Sequence, residues 1–577
     1  MKKIKYTLGI NAFHGDASAC IFRNDELICA SEEERFRRIK HWAGFPSQAI
    51  KFCLLEAGIE PSEVDYIAVS RDPSANRNKK IWYALTKGVK LKAIKDRLKN
   101  KRQVKDVLSL FAEMFEANPK NLKAKVYHIE HHLSHLASAF YPSSFSKAAL
   151  LSIDGFGDFS SCMVGVGDKN HISTHGQLNY PHSLGVFYTA CTQYLGFPHY
   201  GDEYKVMGLA PYGKPDYIDK LELIIKPTVH GFIRLSPSYF KHVKHGVKMS
   251  WNGGQPAIGQ LFTNMFEKQF GKARQPGEEL TQHHFNFAAS VQHITEKMIF
   301  HMAETLHKQT GLKQLCLAGG VAQNSVANGK LLANTSFDEL FVPPAGHDAG
   351  TAIGAALVAM QHNDINPRNT ASANPYTGYR ADKSEISDIV EQTAFNCNQY
   401  ETEDMLETVA NALAEGSVVG WYQGRAEFGP RALGHRSILV DPRRTDAKDL
   451  LNKKIKRRES FRPFAPSILA AYQSEYFNST DKVPYMEKVY PIKPDKHEVI
   501  PAVTHVDGTG RLQTVYPGDI YHDLITKFYK ITGVPILLNT SFNENEPIVN
   551  NASEAYACFE RTQMDMLVLN NTVITRQ

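Results

Sequence analysis

Ala149-Leu150-Leu151-Ser152-Ile153-Asp154-Gly155-Phe156-Gly157-Asp158, followed by Ser160-Ser161-Cys162-Met163-Val164-Gly165-Val166, is an apolar run that ends in a carboxylate, a Gly-x-Gly turn, and a second apolar run. This is the pattern of a buried strand that stops at Asp154, turns tightly and returns. The same grammar opens the chain: Thr7-Leu8-Gly9-Ile10-Asn11, then Ala12-Phe13-His14-Gly15-Asp16, then Ala17-Ser18-Ala19-Cys20-Ile21-Phe22. One supersecondary unit therefore occurs twice, each copy opening half of an α/β region.

Just upstream of the second copy stands His131-His132-Leu133-Ser134-His135. If residues 130–140 are helical, His131 and His135 share one face, a turn apart, with Asp154 available as a third ligand. Imidazole and carboxylate without thiolate suit iron, manganese, zinc or nickel, and three ligands leave positions for a reacting oxygen. Farther on, Ala345-Gly346-His347-Asp348-Ala349-Gly350 opens a small-residue helix with a second polar tip, and Asp348 is the natural fourth ligand. The duplicated hairpins predict an actin-like, sugar-kinase-like architecture with nucleotide between its halves.

With 577 residues the chain exceeds one core, and two to four domains are expected. No apolar run approaches the roughly 18 residues of a membrane span, and Met1-Lys2-Lys3 runs straight into a strand-like segment without a secretion signal. A soluble, cytoplasmic protein is the expectation. The eight cysteines form no CxxC pair, so neither a disulfide framework nor a zinc knuckle is expected. Residues 77–105 hold twelve Lys or Arg against the single acid Asp96, and Trp82, Leu85, Val89, Leu91, Ile94 and Leu98 fall near helical spacing. A solvated helical insertion is expected there rather than a nucleic-acid or membrane patch. The charge run 32–41 likewise reads as a solvated face, although its place after the first hairpin keeps Lys40 and His41 in play.

Between residues 182 and 213, Gly185, Glu203, Lys205 and several further glycines suit a loop whose backbone approaches a ligand. Residues 287–308 lack Gly and Pro and space Val291, Ile294, Met298, Met302 and Leu306 as a buried-face helix. The strand 314–318 runs into Gly319-Gly320 and then a helix, so that backbone N–H groups face a nucleotide and Asn324 can bond a ribose or base. Residues 361–378 are polar and rich in Asn and Pro, and we place a linker at 363–378, between domains 1–362 and 379–577. Beyond it, Arg431 and Arg462 stand in tight Gly- and Pro-containing loops that suit clamping phosphates, and Leu538-Asn539-Thr540-Ser541-Phe542-Asn543 forms a third such loop.

Together these motifs resemble the carbamoyltransferase family that includes the Nod-factor, tobramycin, cephamycin and ansamycin O-carbamoyltransferases. The resemblance runs from His14 and Glu32-Glu33-Glu34-Arg35-Phe36, through His131–His135, Asp154, Lys205-Val206-Met207-Gly208-Leu209-Ala210-Pro211-Tyr212-Gly213, Gly319-Gly320-Val321-Ala322-Gln323-Asn324 and Asp348. It continues through Phe428-Gly429-Pro430-Arg431-Ala432-Leu433-Gly434, Phe461-Arg462-Pro463-Phe464 and Asn539–Asn543. It implies an N-terminal Kae1-like, actin-like domain holding iron (Fe2+) through His131, His135, Asp154 and Asp348, with nucleotide near Gly155, Gly185, Glu203, Gly319, Gly320 and Asn324. It also implies a C-terminal α/β YrdC-like domain in which Arg431, Arg462, Asn539 and Asn543 bind carbamoyl phosphate and the phosphates of ATP, which carries Mg2+. The family chemistry joins carbamate to AMP as carbamoyl adenylate and transfers the carbamoyl group to a hydroxyl of a small-molecule acceptor, with His14 as base and Lys40 toward the acceptor. No membrane or nucleic-acid partner is expected, and homodimerisation is left open. The same domain types occur in tRNA threonylcarbamoyl modification, which is the alternative reading. One departure stands out. After Asn543 the family commonly has two variable or basic residues and a Gly before Glu-Pro-Ile-Val, whereas Glu544-Asn545 here leads directly to Glu546-Pro547.

Overall fold

The computed structural model describes residues 4–87, 106–247, 249–251, 254–370 and 373–576. It divides into two compact α/β units, one of residues 1–324 and 331–373, the other of residues 325–330 and 374–577.

The first unit is built on two five-stranded sheets. In one, β1 (Tyr6–Asn11), β2 (Ser18–Arg23), β3 (Glu26–Glu32), β4 (Tyr66–Val69) and β5 (Lys125–His128) lie in the order β3-β2-β1-β4-β5. The second begins with β6 (Lys147–Gly157), β7 (Ser160–Asp168) and β8 (His171–Asn179). Two short ribbons follow, β9 (Ile225–Pro227) with β10 (Ile233–Leu235) and β11 (Met249–Ser250) with β12 (Ala257–Ile258). Then β13 (Gln314–Ala318) and β14 (Glu339–Phe341) complete the order β14-β13-β6-β7-β8. Each sheet is a three-strand antiparallel meander whose first strand pairs in parallel with a later strand, which in turn pairs in parallel with another. The repeat visible in two hairpins thus extends to whole sheets.

Helix His131–Phe140 packs on β6, β7 and β13, helix Thr351–Gln361 packs on β1, β2 and β4, and the two helices pack on each other. Their crossing is close enough that a Cβ on Gly354 would stand 1.8 Å from the Ser134 carbonyl oxygen. Only glycine fits there. The apolar run 352–359, half of it alanine, lets the helix sit flat against the first sheet, whereas the longer helix Gln282–Thr310 buries Val291, Ile294, Met298, Met302 and Leu306.

Two expectations change here. β6 does not stop at Asp154 but continues to Gly157, and its ladder with β7 breaks between Ile153 and Gly157, so Asp154 lies in an irregular stretch where no ladder partner constrains it. The charge run 32–41 is not a solvated face: Glu32, Glu33 and Arg35 are buried. The Glu33 carboxylate accepts from the backbone N–H of Gln48 and Ala49 at the start of helix Ser47–Ala57 and from Arg37 Nε, so the charge is consumed as a helix cap. Of the basic run, Arg77–Lys87 is helical with Ile81, Trp82 and Leu85 exposed, and residues 88–105 lie outside the described residues.

The second unit carries one nine-stranded mixed sheet of β15 (Asn396–Gln399), β16 (Val419–Tyr422), β17 (Arg436–Val440), β18 (Ala465–Leu469), β19 (Lys488–Pro491), β20 (Thr509–Val515), β21 (Ile536–Ser541), β22 (Met566–Leu569) and β23 (Thr572–Thr575). Their order is β15-β23-β22-β16-β17-β21-β18-β20-β19. Helices Thr402–Ala414 and Ile520–Thr532 pack on each other over a core that includes Trp421, Leu524 and Phe528. Arg436 is fully buried, stacks on Tyr422 and donates to the carbonyls of Asn550, Gln423, His435, Tyr379 and Gly424, a cation used as a staple.

Candidate active site

Helix His131–Phe140 begins at Glu130, whose carboxylate caps it by accepting from the Leu133 N–H. That start aims two imidazoles at the irregular stretch of β6. His131 Nε2 and His135 Nε2 stand 3.1 and 3.2 Å from Asp154 Oδ2, and 3.6 and 3.3 Å from Asp348 Oδ1. All four side chains are buried. β6 can come this near only because residue 157 is glycine, since a Cβ there would lie 2.0 Å from the His131 ring.

Asp348 Oδ1 is buried and makes no hydrogen bond, although two imidazole nitrogens face it. Two carboxylates and two imidazoles with their acceptor atoms converging repel one another unless a cation lies between them. Separations of just over 3 Å are those of N and O donors sharing one ion through bonds of about 2.0–2.2 Å. The four residues therefore fit a divalent metal ion. Without the ion, protons substitute for it. Burial pulls the His135 imidazole down, but Asp154 and Asp348 outweigh that and lift it to about 9. Burial pushes Asp154 up, yet His131 and His135 hold it well below the usual carboxylate range. The middle histidine of the run, His132, takes no part: burial and its two neighbours push it down to about 3, and its Nδ1 pairs with Ser152 Oγ at 2.8 Å.

His14 sits on the tip between β1 and β2. Asn11 Nδ2 donates to the Gly15 and Asp16 carbonyls, and Arg71 donates to the Phe13 carbonyl. Phe13 and Asp16 are left-handed, at φ 59° and 57°, and in the second hairpin Asp158 and Phe159 are left-handed at 47° and 82°. Strain of this kind persists only where surrounding contacts enforce it. His14 Nδ1 pairs with Asp348 Oδ2, and the His14 and His131 rings lie 5.5 Å apart. Burial lowers the His14 pKa, but the Asp348 carboxylate more than offsets this and raises it. On the same tip Asp16 Oδ1 lies 2.7 Å from His41 Nδ1, and Lys40 is near enough for its charge to act on that imidazole.

The glycines gather around Asp154. The N–H groups of Gly155 and Gly320 donate to Asp154 Oδ1 at 2.7 and 3.2 Å, and Gly319 N–H reaches the carbonyl of Gly346, two residues from Asp348. Gly185 lies in the first turn of helix Leu184–Tyr194, whose cap Ser183 donates to the Asp154 carbonyl. Glu203 and Asn324 stand farther out. The first accepts from Thr189 Oγ1, and the second exchanges two hydrogen bonds with the Gln292 amide.

In the second unit the groups expected at phosphates form a cation cluster. Burial, then Arg431, Arg458 and Arg462, press the guanidinium of Arg511 well below the usual arginine range. Such crowding calls for an anion among them. Lys456 is buried just after the π-helical turn Leu451–Ile455, its ammonium donating to both the carbonyl and the side-chain oxygen of Asn543 at 2.7 Å. Asn539 is placed differently, its amide given to the Ala432 carbonyl and to Ser467 and Gln513. Lys456 and Arg458 lie in the same basic stretch as Arg462, which alone was singled out there, and Arg511 was missed. Arg511 and Gln513 are polar at every second place of β20, an alternation too short to single either out.

These two α/β units, one with a metal-competent quartet and one with an arginine cluster suited to phosphates, define a two-part enzyme of group transfer. The sequence matches two family models, Carbamoyltransferase N-terminus over residues 6–357 and Carbamoyltransferase C-terminus over 410–576. It is 37% identical to Nodulation protein NolNO of Sinorhizobium fredii over 98% of this chain and 80% of that protein. It is 40% identical to Nodulation protein NolO of Bradyrhizobium diazoefficiens, over 78% of this chain and 79% of that one. An uncharacterized protein of Synechocystis sp. is 40% identical over 99% of this chain and 97% of its own length. Among solved structures, HypF of T. kodakarensis aligns with a TM-score of 0.31 at 13% identity, covering 63% of this chain and 48% of that one. The chain belongs to the carbamoyltransferase family and is a carbamoyl-transferring enzyme. Among the described residues no helix is long and apolar enough to cross a membrane.

Proposed function

We propose that the protein is an ATP-dependent O-carbamoyltransferase whose second unit makes carbamoyl adenylate and whose first unit passes the carbamoyl group to a hydroxyl of a small-molecule acceptor. The observation that carries this reading is the pairing of a buried imidazole–carboxylate quartet in one unit with an arginine cluster in the other. The duplicated sheets support an actin-like, Kae1-like first unit, and the second unit is taken as YrdC-like by resemblance. Arg431, Arg458, Arg462, Arg511 and Lys456 hold carbamoyl phosphate and the phosphates of ATP, the latter with Mg2+. Water cleaves carbamoyl phosphate to carbamate and inorganic phosphate, a carbamate oxygen attacks the α-phosphorus of ATP, pyrophosphate leaves, and the mixed anhydride carries the leaving group that free carbamate lacks.

His131, His135, Asp154 and Asp348 would hold a divalent ion, Fe2+ by resemblance, which supplies a Lewis acid for a phosphate or carbonyl oxygen. By resemblance the adenylate phosphate binds near Gly155, Gly185 and Gly320, and the N–H groups of Gly155 and Gly320 also fix Asp154 by donating to its Oδ1. His14, held by Asp348, takes the proton of the acceptor hydroxyl as oxygen attacks the carbamoyl carbon, and AMP departs. Lys40, by resemblance, faces the acceptor, beside His41, which pairs with Asp16 of the tip that carries His14. The presence of NolO and NolNO among the relatives supports an acceptor of nodulation-factor type, a hydroxylated small molecule.

The test is to supply the protein with ATP and carbamoyl phosphate, assay pyrophosphate, and then add a panel of hydroxylated oligosaccharides and natural products. Pyrophosphate that appears only with both substrates, and a carbamoyl mass increment on one acceptor, are expected. Transfer from carbamoyl phosphate with no ATP consumed overturns the adenylate step.

A further inference from the structure

Three adjacent strands of the second unit, β21, β18 and β20, present Asn539, Ser467 and Gln513 to one face of the sheet, with Ser467 and Gln513 in direct register. All three are buried, and they bond mainly to one another and to the loop that carries Arg431. Ser467 Oγ donates to Gln513 Oε1 at 2.6 Å, and the Asn539 amide donates to Ser467 Oγ and Gln513 Oε1 at 3.2 Å. Upward, Gln513 Nε2 donates to the Leu433 carbonyl at 2.7 Å and Asn539 Nδ2 to the Ala432 carbonyl at 3.3 Å. From the other side Glu427 Oε1 accepts the N–H groups of Leu433, His435 and Arg436, and Trp421 Nε1 donates to the Gly434 carbonyl. Every peptide from Ala432 to His435 is thereby held by a buried side chain or by the backbone. Arg431 is next in line, and Arg511 lies two residues before Gln513 on the same face of β20.

We infer that Gln513 is a positioning residue for carbamoyl phosphate. It ties the strand that carries Arg511 to the loop that carries Arg431 and so fixes the spacing of the two guanidinium groups about one phosphate. This rests on the proposed phosphate site and deepens it. A buried amide that satisfies both its donor and its acceptor across three strands and a loop is rigid in a way that an apolar residue of equal size is not. A clamp loses strength steeply when its forks are misplaced by about 1 Å. The inference also gives Asn539 a role: it completes the acceptor side of Gln513 and holds Ala432, without touching phosphate.

The experiment uses the full chain, with Gln513→Leu, the milder Ser467→Ala, Arg431→Ala, and the Gln513→Leu/Arg431→Ala double variant. Amide hydrogen exchange, read with no substrate present, should rise in peptides covering residues 429–436 in Gln513→Leu while helix Thr402–Ala414 stays protected. Calorimetry with carbamoyl phosphate, and with inorganic phosphate as a second probe, should show affinity falling at least tenfold for Gln513→Leu and a few-fold for Ser467→Ala. In the Arg431→Ala background the Gln513→Leu change should add no more than twofold, because the glutamine acts through that arginine. Multiplicative losses in both backgrounds, or unchanged exchange at 429–436, overturn the inference. If the wild type binds neither probe, the phosphate reading of the cluster fails, and the exchange result still decides whether Gln513 holds the loop. Should Gln513→Leu fail to fold, Ser467→Ala carries the same comparisons.

Discussion

His14 stands on the β1–β2 tip and His41 pairs with Asp16 of that tip; both histidines face carboxylates, but only His14 is paired to a member of the quartet. Replacing His14 with Asn keeps a hydrogen-bonding side chain and removes the base, so pyrophosphate formation should continue while acceptor carbamoylation falls by about 10²–10⁴-fold. Parallel loss of both half-reactions would mark His14 as structural. The His41–Asp16 pair makes a prediction about pH. Burial pulls His41 down, Asp16 lifts it to about 9, and Asp16 itself is held below its usual value. A raised histidine stabilises fully below its unfolded value near 6.5 and stops doing so as pH rises through about 9. A depressed aspartate stabilises above about 3.8 and stops as pH falls below it. His41→Gln should therefore lower stability by about 2 kcal/mol at pH 6 and by much less at pH 10. Urea denaturation at the two pH values measures this, and an equal loss at both would count against the pair.

Among the elements, helix His131–Phe140 depends on a neighbour. Its crossing with helix Thr351–Gln361 is set at Gly354, so Gly354→Val should force the helices apart and cost about 3 kcal/mol. Because the displaced helix carries His131 and His135, bound metal measured by elemental analysis should fall in molecules that remain folded. Full metal content in a folded variant would mean that the quartet tolerates the shift. The sequence offered this element only as a condition, that His131 and His135 share a face if 130–140 is helical, and the run from His131 to Phe140 meets it. Helix 287–308 and strand 314–318 were clear, because strong apolar periodicity without Gly or Pro leaves little choice. The buried charges of residues 32–35 were not legible. Composition cannot distinguish a glutamate in water from one capping a helix that begins more than ten residues later. Nor could the alternation in β20 reveal Arg511, since a five-residue polar alternation equally describes a strand with one wet face.

For the molecule as a whole, the quartet and His14 belong to the first unit and the arginine cluster to the second. In the full-length protein, His131→Ala with His135→Ala should abolish transfer and leave ATP- and carbamoyl-phosphate-dependent pyrophosphate release within about threefold of wild type. Arg431→Ala should lower that release by about 10²-fold or more. Pyrophosphate release lost with the histidines would mean that the two chemistries are not divided between the units. The sequence repeat foretold two matched hairpins, and the sheets turn out to match through five strands each. The later parallel strands of each sheet lie far from the hairpins along the chain, and only their pairing exposes the symmetry.

That distance along the chain also sets an order of events during synthesis. Strand β1 and the tip that carries His14 leave the ribosome well before the helix that covers β1, Thr351–Gln361. Likewise His131, His135 and Asp154 emerge long before Asp348 does. A growing chain therefore carries an uncovered sheet and an incomplete ligand set through most of the translation of its first unit. The covering helix starts within three residues of the last ligand, so sheet closure and metal capture become available almost together. An ion taken up at that moment would act as a latch on a unit that the ribosome has nearly finished.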